Sequence, residues 1–97
     1  MFMFIYVIGN NENRQKIGFT NNPLRRLKTL QTGNPDKLYL HHFVEIPDEK
    51  KRIFERKIHS EISYKRITGE WFNISAEDAK LALDHAVIRW LDDPLLY

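Results

Sequence analysis

The chain has 97 residues, 42% of them hydrophobic, with two tryptophans, four tyrosines and six phenylalanines. That is enough for one compact domain over residues 1–97 and too little for two. No cysteine is present, which excludes disulfides, zinc–thiolate sites and thiol nucleophiles. A formal charge of +2 and a pI of about 9 accommodate nucleic acid without requiring it, because phosphate binding depends on local basic clusters.

The opening run MFMFIYVI lacks a basic leader and is far shorter than the roughly 20 apolar residues that cross a bilayer. A cytoplasmic location with no membrane association is therefore expected. Residues 3–8 are aromatic and β-branched, as in a strand buried on both faces. The polar loop GNNENRQ leads into a second strand near Gln15–Phe19, which predicts an antiparallel hairpin with more than a two-residue turn.

Asn22 and Pro23 read as the N-cap and first position of a helix. Leu24, Leu27 and Leu30 mark its buried side, and TGNP ends it. A third strand is expected over 37–46. Pro47 and Asp48 then open a helix with Phe54, Ile58 and Ile62 along one stripe. GEWFNI reads as a short aromatic strand. Ser75 with Asp78 starts a last helix reaching about Leu91. The expected order is β-β-α-β-α-β-α.

Helical geometry picks out particular side chains. At about 100° per residue, Arg25 lies about 160° from Leu27 and points to solvent. Arg26 lies about 100° from Leu27 and about 40° from Leu30, on the shoulder of the buried face. There it either snorkels along the leucines or reaches over the sheet into a cleft. Glu55 falls about 20° beyond Ile62, at the margin of the second helix's apolar stripe, with His59 one turn on. A carboxylate there needs a cation, a metal or a hydrogen bond, and an ordinary ion pair would suffice. Tyr6 packs inside the first strand, where its hydroxyl needs a partner.

The order of these features resembles the GIY-YIG nuclease superfamily. IYV at 5–7, KIG at 16–18, Arg26 eight residues after Gly18, Glu55 in a helix and Asn73 after an aromatic pair carry the resemblance. It is closest to a phage and bacterial subgroup with KIG-x-T, E-x-x-x-H and E-W-F segments, here KIGFT, ERKIH and EWFN. The first motif reads FIY, Lys16 stands at the second tyrosine, and Leu30 occupies a position often His or Tyr.

The resemblance implies a small α/β (α+β) domain with a central, mainly antiparallel three-stranded sheet flanked by helices. It also implies a metal-dependent endonuclease acting on nucleic acid, on DNA rather than RNA, with one Mg2+ or Mn2+ ion. In that reading Glu55 holds the metal, Arg26 holds a phosphate oxygen and Tyr6 takes a proton from water. Lys16 lowers the Tyr6 pKa or holds phosphate, and His59 donates a hydrogen bond beside Glu55. Asn73 positions a loop or substrate. Ile17 and Gly18 are structural, the glycine allowing close backbone approach. Arg14, Arg25 and Lys28 are candidate phosphate contacts. A catalytically weak nucleic-acid-binding module and a protein-interaction domain are the alternatives. Substrate specificity would come from loops or a protein partner, and oligomeric state stays open.

Overall fold

The structure, a computed structural model, describes residues 2–90. β1 (Met3–Gly9) and β2 (Arg14–Thr20) form the expected antiparallel hairpin, with Tyr6 opposite Gly18 and Ile8 opposite Lys16. β3 (Tyr39–Ile46) pairs antiparallel with the other edge of β1, its register shifting between Val7 and Ile8. The long loop is closed by Gln15, a fully buried side chain whose amide nitrogen donates to the carbonyls of Asn10 and Glu12.

Two short strands complete the sheet. β4 (Arg66–Thr68) and β5 (Trp71–Asn73) form a second hairpin, and β5 adds to β2 through Arg14–Asn73 and Lys16–Trp71 pairing. The sheet is thus five-stranded and antiparallel, in the order β3-β1-β2-β5-β4, where three strands were expected. β4 escapes sequence reading because it is three residues long and exposed at all three, so no buried alternation marks it. Gly69 turns the hairpin at φ 55°, a conformation that favours glycine.

Helices lie on both faces. α2 (Lys51–Glu61), entered through a 3-10 turn over Asp48–Lys50, and α3 (Ala76–Trp90) cover one face. There Phe54, Ile58, Leu83 and Ala86 pack with Ile5, Val7, Ile17 and Phe72. Burying a side chain of this size stabilises by about 1.5–3 kcal/mol, so this layer dominates the fold. Ile62, placed by sequence in the α2 stripe, is the buried C-cap residue that ends the helix. α3 begins where expected, with the Asp78 amide donating to the Ser75 hydroxyl at 3.0 Å; its expected end at Leu91 lies outside the described residues. Among the described residues no helix is long and apolar enough to cross a membrane.

α1 (Pro23–Gln31) covers the opposite face, capped by the Asn22 side chain accepting from the Arg25 amide at 3.1 Å. Leu27 and Leu30 pack on Tyr6, Ile8 and Leu38. Leu24 does not join them and is 67% exposed, against the expectation of three buried leucines. The helix is rolled so that its contact arc runs from Leu27 through Leu30 to Arg26. Leu24 lies about 120° from Leu30, outside that arc.

Candidate functional site

The roll of α1 builds the first half of the site. Tyr6 is 1% exposed, with its ring in the small core under α1. The Nε of Arg26 donates to its hydroxyl at 3.2 Å. Burial raises the phenol pKa above its ordinary value, and Arg26, by hydrogen bond and charge, only partly opposes this. The phenol therefore keeps its proton at neutral pH, which argues against Tyr6 as the proton acceptor. Arg26 is held still more firmly charged by the same bond.

Gly18 makes this approach possible. A Cβ on it would stand 2.7 Å from the Tyr6 hydroxyl oxygen and 3.0 Å from Oε1 of Glu70. Both oxygens therefore lie over the bare Cα of one residue, and no side chain larger than hydrogen fits between them.

The second half follows from the shortness of β5. Its ladder with β2 ends at Lys16–Trp71, after which the Ile17 amide donates to the Glu70 carbonyl at 3.2 Å. The chain enters β5 from the turn at Gly69, so among the described residues this edge of β2 has no strand partner beyond Lys16. α2 fills that notch. Nε2 of His59 lies 2.7 Å from the Ile17 carbonyl oxygen; since a carbonyl can only accept, Nε2 carries the proton. Burial lowers the His59 pKa, partly offset by that bond.

Glu55 sits one turn before His59, half-buried. Its pKa is pushed up to about 7, by burial first and then by the charge of Glu70, while Lys16 and Arg52 pull it down. Lys16 and Glu70 form an ion pair at 3.2 Å, with the lysine Nζ 5.6 Å from the Trp71 ring centroid. The charge of Glu70 is felt by Tyr6, Arg26, Glu55 and His59, so this one carboxylate ties the two halves together.

Tyr6, Lys16, Gly18, Arg26, Glu55 and His59 therefore gather around the notch, over a backbone that Ile17 anchors in the core. Asn73 does not: it lies at the far end of β5 opposite Arg14 and lines a separate hollow with Asn10 and Asn13. Arg14, Arg25 and Lys28 are exposed, the last two on the outer side of α1. Glu70 is the residue the sequence reading passed over. Its signal was an acidic residue directly before Trp71, whose strand partner is Lys16, an opposite-charge arrangement favoured across strands.

Among the described residues no group of three or more His, Cys, Asp or Glu side chains could hold a metal ion. Two like-charged carboxylates, one of them already destabilised as an anion, nevertheless suit magnesium, which is commonly bound by one or two carboxylates and keeps several waters. Glu55, destabilised as an anion, is the carboxylate that would hold it.

The model of the T5orf172 domain family matches residues 3–90, nearly the whole chain. The chain belongs to the T5orf172 domain family. This corrects the GIY-YIG assignment, for the T5orf172 domain is a different family, although of a related endonuclease-like fold. Short motifs in a shared order follow the related fold and do not by themselves separate the two families. T5orf172 domains are often found in nuclease-like proteins, a link to nucleic acid that is weak by itself. No curated protein and no solved structure matches the chain.

Proposed function

We propose that this T5orf172 domain is a metal-assisted endonuclease that hydrolyses phosphodiester bonds of nucleic acid. The observation that carries the reading is the Tyr6-tethered Arg26 standing in the same notch as a destabilised Glu55 and the Lys16–Glu70 pair. Groups suited to receive a phosphate and to hold a divalent ion thus sense one another's charge across the end of the β2–β5 ladder.

Arg26 spends its Nε on Tyr6, which leaves the two terminal nitrogens of the fork for non-bridging phosphate oxygens. Charge placed in advance where the pentavalent phosphate becomes more negative lowers the barrier without reorganisation. Tyr6, protonated, fixes that guanidinium and offers its own hydroxyl proton to a water or phosphate oxygen. Glu70, beside the Tyr6 hydroxyl over Gly18, accepts the proton of the attacking water. Water oxygen bonds to phosphorus as the bond to the leaving oxygen breaks on the opposite side, that oxygen taking a proton from solvent, while the Lys16 ammonium, paired with Glu70, adds positive charge beside the phosphate. A divalent cation at Glu55 supplies further charge to the phosphate when bound. His59 holds α2 to the strand so that Glu55 keeps its place.

The test is cleavage of single-stranded and duplex DNA and of RNA by the purified domain with magnesium or manganese. Glu55→Ala and Arg26→Ala should abolish cutting while the melting transition persists. Intact substrates under all these conditions would sink the enzymatic reading. Salt-sensitive binding without cutting would make the domain a binding module instead.

A further inference from the structure

Alongside the notch runs an open cleft of about 450 Å3, whose wall includes Glu55 and His59. Its remaining lining is strongly basic. Arg52 and Arg56 project from successive turns of α2, Arg66 comes from β4, and Ser60 and Ser63 complete the lining. Among the described residues none of the three arginines has a carboxylate within ion-pair distance; the ion pairs there belong to Lys16, His42, Lys51 and Arg89. All three are exposed.

Two of the three are nevertheless held in place. The guanidinium carbon of Arg52 lies 6.0 Å from the Phe19 ring centroid, and that of Arg66 lies 5.4 Å from the Phe72 centroid. An arginine lying against an aromatic ring restricts its own rotamers and keeps its N–H donors free at the periphery. Three guanidinium groups without a carboxylate partner, two of them ordered against rings, form with two hydroxyls a receptor for an oxyanion. Its continuity with Glu55, whose charge Arg52 already stabilises, sets that oxyanion next to the notch.

We infer that Arg52, Arg56 and Arg66 bind the backbone phosphate that flanks the bond to be cut, so that the substrate strand runs from the notch along α2 toward β4. This rests on the proposed function for the position of the scissile phosphate. It moves the contact surface away from the outer side of α1, where Arg25 and Lys28 stand. The cleft contacts only phosphate and sugar, so it sets the register of the strand without reading its bases.

The experiment is equilibrium binding of a fluorescein-labelled single-stranded DNA across a potassium chloride series, in EDTA so that no cutting intervenes. Each phosphate contact on a single strand contributes about 0.7 to the slope of log K against log salt. The slope should therefore flatten by about 0.7 when that one phosphate contact is lost in Arg52→Gln/Arg56→Gln/Arg66→Gln, and by less than that in Arg52→Gln/Arg56→Gln. Arg52→Lys/Arg56→Lys should keep most of it, and Arg25→Gln/Lys28→Gln should leave it unchanged. Circular-dichroism melting of these exposed-site variants verifies that they fold. An unchanged slope in the triple variant overturns the inference, as does a wild-type domain that binds no DNA at low salt. Flattening in the triple variant of a domain that never cuts would uphold the cleft while removing the nuclease reading. Cutting with an unflattened slope would do the reverse.

Discussion

Replacing Glu55 by glutamine removes a charge that the fold resists. In the unfolded chain this carboxyl titrates near its ordinary value of 4.5, and in the folded domain at about 7. The folded state thus binds the proton more tightly. Its contribution to stability is fully present below 4.5 and is lost as the pH rises through 7. The whole shift would amount to about 3.4 kcal/mol at 1.36 kcal/mol per pKa unit. Because the group is only half-buried, solvent screening reduces this to about 1–2 kcal/mol.

His59 works in the opposite sense. Its folded pKa is depressed below 6.5, so its contribution is present above that value and fades as the pH falls through the folded pKa. The informative quantity is therefore the difference between wild type and Glu55→Gln in urea unfolding at pH 5 and pH 8, in which the His59 contribution cancels. The variant should gain about 1–2 kcal/mol on the wild type over that interval. Magnesium at pH 8 should raise the stability of the wild type and not that of the variant. Parallel pH profiles for the two proteins would refute the claim that Glu55 is a destabilised anion facing Glu70.

Two other substitutions probe the hairpin. Gly18→Ala puts a methyl group 2.7 Å from the hydroxyl of a tyrosine too deeply buried to move aside, and should destabilise by about 1–3 kcal/mol while disabling cutting; a urea midpoint matching the wild type would show that the close approach is unimportant. Tyr6→Phe retains the ring and deletes the hydroxyl that tethers Arg26. Its stability should fall by only about 1 kcal/mol while cleavage rate falls about 10²-fold, and a variant cutting at the wild-type rate would leave Tyr6 a packing residue.

Local chemistry carried the legible part of this molecule. Asn22 with Pro23 and Ser75 with Asp78 announced two helix starts, because capping is decided within three residues. β1 and β2 were visible because a buried aromatic and β-branched run has few other uses. Arg26 could be singled out over Arg25 from helical angles, although the same angles put Leu24 inside, since the roll of α1 depends on what the sheet offers it. Glu70 and the arginine cleft were beyond such reasoning. Glu70 acquires its place from the register of β5 on β2 and from where that ladder stops. Arg66 meets Arg52 and Arg56 only because β4 folds back beside α2. Asn73 was chosen by analogy with another family, and nothing local corrected it.

The bonds that define the notch join residues far apart in the chain: 20 positions for Tyr6 with Arg26 and 42 for His59 with Ile17. Glu70 arrives on the last hairpin of the sheet, just before α3. Contacts of this span form late, after the loops between them have closed. A chain that has made its first hairpin and α1 holds Arg26 but none of the carboxylates that complete the cluster. Under the proposed function, cutting would therefore depend on the docking of β5.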